Sequence, residues 1–144
     1  MKAKFVYETI GDILKGRSEE DILSSMENSR PNDLLFKLIE AGFLPGVKKA
    51  LEMGADIHAN DDYALRWASY SGHSDIVELL LKNGADIHAD FDFALRYASD
   101  NGHLPVVELL LKNGADVHAK NDSPLRWASE KGHCDITKLL NKYI

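Results

Sequence analysis

The feature that most limits what this chain can fold into is a period of 30 residues. Residues 60–89 and 90–119, set one above the other, agree at 20 of 30 positions. A third block runs from Lys120 to Ile144, and a more divergent one begins at Arg30, where Gly42, Val47, Gly54, Ala55, Asp56 and His58 keep the register. No insertion interrupts the period. Repetition at this length means a supersecondary unit that cannot bury its apolar face alone. Stacking buries it, and three or more copies are usually needed. The chain is read as a single domain, residues 1–144, with repeats at 30–59, 60–89, 90–119 and 120–144 and a non-repeating segment 1–29.

Each block predicts two short helices. Asn32, Asp62, Asp92 and Asp122 share one register position and read as N-caps of the first helix. Pro124 falls in a first helical turn, where its missing N–H costs nothing. Leu65 and Ala68 recur at 95/98 and 125/128, a three-residue step that marks a buried stripe. Gly72, Gly102 and Gly132 stop the first helix. The second helix carries Ile76, Val77, Leu79 and Leu80 with their equivalents, begins near Pro45 and Pro105, and ends at Gly84 and Gly114. The class is all-α: a solenoid of stacked helix-turn-helix units.

These residues resemble ankyrin repeats. Gly-His-x-x-Ile-Val-x-x-Leu-Leu-x-x-Gly-Ala-Asp-Ile stands from Gly72-His73 to Asp86-Ile87, again from Gly102, and in shortened form from Gly132. The family's Thr-Pro-Leu-His-x-Ala-Ala is represented by Tyr63-Ala64-Leu65-Arg66-Trp67-Ala68-Ser69 and Ser123-Pro124-Leu125-Arg126-Trp127-Ala128-Ser129. The variant Asp-x-Ala-Leu-Arg-x-Ala-Ser is similar to ankyrin proteins of giant DNA viruses, and of some phages and host-associated bacteria. The resemblance implies an ankyrin-type solenoid and a non-catalytic protein–protein interaction module, for example an adaptor or inhibitor acting on a host protein. Two departures qualify it. The family repeat is about 33 residues long, and the residues missing here fall between Ala59 and Leu65, where relatives carry a β-hairpin finger. Shortened β-turn fingers are therefore expected. The family histidine of that motif is replaced by Arg66, Arg96 and Arg126.

Charge narrows the partner. With 17 basic against 23 acidic residues the net charge is −6, the reverse of the basic stripe that nucleic acid or an anionic membrane selects. No apolar run approaches the ~20 residues of a membrane span. Glu8 and Asp12 interrupt what would be a signal peptide's apolar region. Cys134 is the single cysteine, so no intrachain disulfide forms. A cytoplasmic location, in the producing or a host cell, and a monomeric state are expected.

Three sets of residues have chemical capability. The histidines form two series, His58/His88/His118 and His73/His103/His133. Equivalent positions on packed helices lie roughly 8–10 Å apart, too far to share one zinc. The structural reading has each ring satisfying loop backbone, with no metal and no cofactor. Arg66, Arg96 and Arg126 each follow an aspartate by four residues, which reads as a helical ion pair; the functional reading is a cationic row facing a carboxylate or phosphate. Cys134 neighbours His133 and Asp135, but its equivalents are Ser74 and Leu104, so it reads as a surface position. No catalytic constellation is found.

Comparing the repeats with one another locates the candidate binding face. Positions that must pack are fixed, whereas exposed positions vary. Tyr63/Phe93, Trp67/Tyr97/Trp127, Tyr70/Asp100/Glu130, Lys131 and the turn residue Phe91 vary, and aromatic side chains with a few charges are what interface hot spots favour. In the family, the turn and first helix form the concave groove, so the resemblance assigns these residues to partner binding. Trp67, Tyr97 and Trp127 suit inter-repeat packing equally well. Phe91 is the sharpest pointer, because its equivalents are Asp61 and Asn121. A structural or self-associating unit is the alternative, and an enzyme the least supported.

In segment 1–29, Ser18-Glu19-Glu20-Asp21 reads as a helix start. Phe5, Ile10, Ile13 and Leu14 are expected to cover the first repeat as an N-terminal helical cap.

Overall fold

The computed structural model describes residues 16–144. Among these residues nine helices follow in order: α1 (Glu19–Met26), α2 (Pro31–Glu40), α3 (Leu44–Glu52), α4 (Ala59–Ser71), α5 (Ser74–Lys82), α6 (Ala89–Asp100), α7 (Leu104–Lys112), α8 (Ala119–Glu130) and α9 (Cys134–Asn141). The first helices stack in a row, α2 on α4 on α6 on α8, and the second helices α3, α5, α7 and α9 form another row against it. The result is an all-α solenoid of helix-turn-helix units.

The core lies between the rows. Leu65, Ala68, Ile76, Val77 and Leu80 are fully buried, as are Leu95, Ala98, Val106, Val107 and Leu110 one repeat on. Burying one such aliphatic side chain stabilises by about 1.5–3 kcal/mol. Neighbouring repeats supply both walls around each of them, which is why one hairpin is not enough. At the N-terminal end, Ser18 Oγ accepts from the Asp21 amide at 3.2 Å and opens α1, which packs on α3 and buries Ile22 and Met26 in the same core. The residues Phe5, Ile10, Ile13 and Leu14, expected to form the cap, lie outside the described residues.

The turns between α4 and α5 show how repeats are held together. Gly72 has φ 82°, and the ring of His103 from the next repeat lies on its backbone. A Cβ at Gly72 would stand 2.6 Å from His103 Nδ1. The hydrogen atom that glycine offers instead lets the ring reach Tyr70 O, 2.9 Å from His103 Nε2. His133 repeats the contact with Asp100 O at 2.9 Å. His103 and His133 satisfy backbone of the preceding repeat, as expected, and the His73 ring lies on Gly42 in the same way.

The other series departs from the expectation. His58 Nδ1 and His88 Nδ1 meet the carboxylates of Asp62 and Asp92, at 3.0 and 3.1 Å, and His118 Nδ1 meets Asp122 at 2.6 Å. Asp62 and Asp92 stand just before the right-handed part of their helices, but among the described residues no amide of the following turn donates to their side chains. Their carboxylates are buried and accept from the amides of Asp86 and Asp116, at 2.7 and 2.8 Å. Asn32 Oδ1 does the same for the amide of Asp56 at 2.6 Å. The side chain at this register position reaches 24 residues forward, into the turn that leads to the next repeat. A cap bond joins sequence neighbours, whereas this one joins turns that only stacking brings together.

Where a finger would stand, the chain makes one turn of left-handed backbone. Residues 60–62, 90–92 and 120–122 all have φ between 50° and 59°. For L-residues this conformation costs roughly 1–2 kcal/mol each, with Asn and Asp the most tolerant. Seven of these nine residues are Asn or Asp; the exceptions are Phe91 and Lys120. The arginine ladder closes this turn. Arg66 Nε and Nη2 donate to Asp61 O and Asn60 O, both at 2.9 Å, and Arg96 donates to Phe91 O and Asp90 O at 2.9 and 2.8 Å. Arg126 makes the same pair to Asn121 O and Lys120 O at 3.0 and 3.5 Å. The expected pairing of each arginine with the aspartate four residues earlier is therefore not what forms. The left-handed turn aims those aspartates at the neighbouring turns and aims two carbonyls at the guanidinium, whose planar fork fits a pair of acceptors.

Candidate functional site

The row of first helices carries a continuous run of aromatic rings. Phe36 meets Tyr63 edge-on at 4.9 Å, Tyr63 stacks on Trp67 at 5.8 Å, and Trp67 on Tyr70 at 5.0 Å. Tyr70 reaches Tyr97 across the repeat boundary at 6.0 Å; Tyr97 stacks on Phe93 at 4.0 Å and meets Trp127 edge-on at 5.4 Å. Such pairs add about 0.5–1.5 kcal/mol each beyond the area they bury. Residues spaced by three and four along α4 and α6 place their side chains on one helix face, and the 30-residue period sets these faces side by side.

The structure thus brings Tyr63, Trp67, Tyr70, Phe93, Tyr97 and Trp127 into one surface. Tyr63, Trp67, Phe93, Tyr97 and Trp127 are half-buried against one another, so they are packing residues that keep an exposed edge. Tyr70 is 39% exposed and Phe91 is 65% exposed. Burial raises the Tyr63 phenol above its ordinary value of 10.0, as does the nearby Glu40 carboxylate, while Arg66 acts in the opposite sense. At the far ends of the first helices, Asp100 is engaged by Lys131 of the next repeat at 3.6 Å, whereas Glu130 is exposed.

Arginines run along the same face. Arg66 stands over the Phe93 ring at 5.2 Å and the Tyr63 ring at 5.9 Å. Arg96 is enclosed by Phe93, Tyr97 and Trp127, with its guanidinium carbon 5.8, 5.6 and 5.8 Å from their centroids. A guanidinium over an aromatic face gains about 0.5–2 kcal/mol, the more so when desolvated. Arg66 also meets the carboxylate of Asp90, one repeat on, at 3.7 Å.

Phe91 is isolated from the ring run. It sits at φ 54° on the outer turn, and the ammonium of Lys120 stands 3.9 Å from its centroid. A phenylalanine in the left-handed region is a steric outlier, held there by the Arg96 bond to its carbonyl.

Sequence reasoning missed Phe36. It occupies in the first repeat the register position that carries Arg66, Arg96 and Arg126 in the others. Its aromatic character breaks the arginine column, and that break was the available signal. With Asp33, Lys37, Glu40, Asn60 and Tyr63 it lines an open depression between α2 and α4. Cys134 is exposed, and among the described residues no three His, Cys, Asp or Glu side chains converge as metal ligands. No helix among the described residues is long and apolar enough to cross a membrane.

Stacked helix-turn-helix hairpins with short turns, glycine stops and a laterally exposed first-helix face define a helical-repeat protein. The family model for ankyrin repeats (3 copies) matches residues 34–121 and 88–144, and the chain belongs to the ankyrin repeat family. Ankyrin repeats generally mediate protein–protein interaction. The chain is also 38% identical over 56 residues to an ankyrin repeat protein of Acanthamoeba polyphaga mimivirus, a match spanning 39% of this chain and 22% of that protein.

Proposed function

We propose that this chain is a non-catalytic binding module that holds a partner protein against the first-helix and turn face of its second and third repeats. The observation that carries the reading is the exposure of Phe91 and Tyr70, 65% and 39%, beside an aromatic surface already rigid. Half-buried rings cannot move far, so a partner that covers them orders few side chains, and the ordering cost of binding stays low. Phe91 is held in a backbone conformation that phenylalanine resists, and strain of this kind clusters at ligand clamps and other functional sites. Tyr63, Trp67, Phe93, Tyr97 and Trp127 form the floor. Asp100, Glu130 and Lys131 form a polar rim at the end of the first helices.

In this reading the shortened turn shifts contact from extended fingers to the helical face. The module works as a monomer in the cytoplasm and acts as an adaptor or inhibitor, consistent with a mimivirus relative and a viral or bacterial setting. The test is affinity capture from the encoding organism and its host, run with the native chain and a Tyr70→Ala/Phe91→Ala double variant of equal thermal stability. The reading expects at least a tenfold loss of the captured partner. Equal retention by both proteins would place the binding surface elsewhere.

A further inference from the structure

The guanidinium column and the turn position one repeat on are matched in charge at two of three steps. Between repeats one and two, the column carries uncharged Phe36 and the turn carries uncharged Asn60. Between repeats two and three, Arg66 meets Asp90 at 3.7 Å. Between repeats three and four, Arg96 faces a turn whose corresponding residue is Lys120. The register position whose carboxylate meets Arg66 thus carries a second cation one repeat on, and its ammonium stands over the Phe91 ring.

Arg96 is only 7% exposed and has no carboxylate within ion-pair distance among the described residues. Its Nε and Nη2 are taken by Phe91 O and Asp90 O, and among the described residues Nη1, the atom that in Arg66 meets Asp90, has no acceptor. Nη1 is not one of the fully buried polar atoms without a partner, so this edge of the guanidinium stays open to an incoming acceptor. The nearby carboxylates are committed elsewhere: Asp90 to Arg66, Asp92 to His88 and the Asp116 amide. Both cations lie on the Phe91 turn, Arg96 through its carbonyl and Lys120 through its ring. Phe91 and Lys120 are also the two residues that least suit the left-handed backbone they occupy.

We propose that the Arg96–Lys120 edge between repeats three and four accepts a carboxylate side chain from an acidic segment of the partner protein, in the place that Asp90 fills one repeat earlier. This inference rests on the reading of the first-helix face as the binding surface and names the partner chemistry at one point of it. The commitment is to a carboxylate, because the occupied step is itself a carboxylate contact. The chain's net charge of −6 opposes an acidic partner at long range. The attraction is therefore local and appears in how slowly the partner leaves.

The probe is hexaglutamate, titrated into the labelled full chain while the Arg96 Nε–Hε resonance is followed, with hexaglutamine and inorganic phosphate as parallel arms. A saturable shift with hexaglutamate and none with hexaglutamine is expected. Lys120→Asp should fill the place internally. Its free Arg96 resonance should already sit near the bound position, and its affinity for hexaglutamate should fall at least tenfold. Lys120→Asn, which copies Asn60, should weaken binding less. Both variants place a residue better suited to the turn, so folding is not at risk. No saturable shift, or equal affinity in Lys120→Asp, would overturn the proposal, and saturation by phosphate at equal or lower concentration would overturn the carboxylate assignment. If hexaglutamate fails while Tyr70→Ala/Phe91→Ala still releases the captured partner, this inference falls and the binding-face reading stands.

Discussion

The carboxylate of Asp62 accepts a hydrogen bond from the backbone amide of Asp86 at 2.7 Å, and the ring of His58 approaches it from the other side at 3.0 Å. One side chain thereby ties the turn before its helix to the turn that leads into the following repeat. The first repeat makes the forward bond with Asn32 instead. An amide oxygen therefore suffices for that bond. Asp62→Asn should lose no more than about 1 kcal/mol, whereas Asp62→Ala, which removes the acceptor of the part-buried bond from the Asp86 amide, should lose about 1–2 kcal/mol. Urea denaturation of the two variants checks the order; equal losses would show that the forward bond is not what matters.

Arg96 and Arg126 make the same pair of bonds in different surroundings. Arg96 is buried and enclosed by rings, whereas Arg126 is exposed with one bond stretched to 3.5 Å. Hydrogen bonds to charged groups contribute about 1.5–3 kcal/mol each when desolvated. Arg96→Ala is expected to cost about 3 kcal/mol and Arg126→Ala less than about 1 kcal/mol. Arg96→Lys should rescue little, because one ammonium cannot span two carbonyls as a planar fork does.

The hydroxyls of Ser69 and Ser99 are fully buried and have no hydrogen-bond partner among the described residues, while Ser129 at the same register is exposed. Removing an unsatisfied buried hydroxyl relieves its desolvation cost. Ser69→Ala and Ser99→Ala should each raise stability by about 1 kcal/mol, with Ser129→Ala near zero. Thermal melts that rank all three alike would argue against burial as the cause.

Gly72 and Gly84 both have positive φ, 82° and 89°. A Cβ at Gly84 meets nothing within 4 Å, whereas one at Gly72 displaces His103. Gly84→Ala carries only the backbone cost, about 1–2 kcal/mol. Gly72→Ala should cost more and should release the His103–Tyr70 contact. A ring-proton shift of His103 in Gly72→Ala, unchanged in Gly84→Ala, is the measurement that separates the two.

The sequence by itself determined the solenoid. A 30-residue period, apolar positions in phase with helices, glycine stops and prolines at helix starts are local and repeated signals, and each was legible from residue type and spacing alone. The variation among repeats also picked out Tyr70 and Phe91, whose exposure follows from being free to vary. What the tertiary structure decided were partnerships. Asp62 reads as a cap and Arg66 as its ion-pair partner when only neighbours along the chain are considered. A turn of left-handed backbone reverses both assignments, sending the aspartate to an amide 24 residues away and the arginine to two carbonyls. The charge mismatch of Arg96 and Lys120 was likewise present in the sequence, but it became visible only once Arg66 was seen against Asp90. Period and hydrophobicity fix which elements form, because they act through neighbours in sequence. Which polar atoms meet is fixed by stacking, because hydrogen bonds depend on distances that only the assembled turns define.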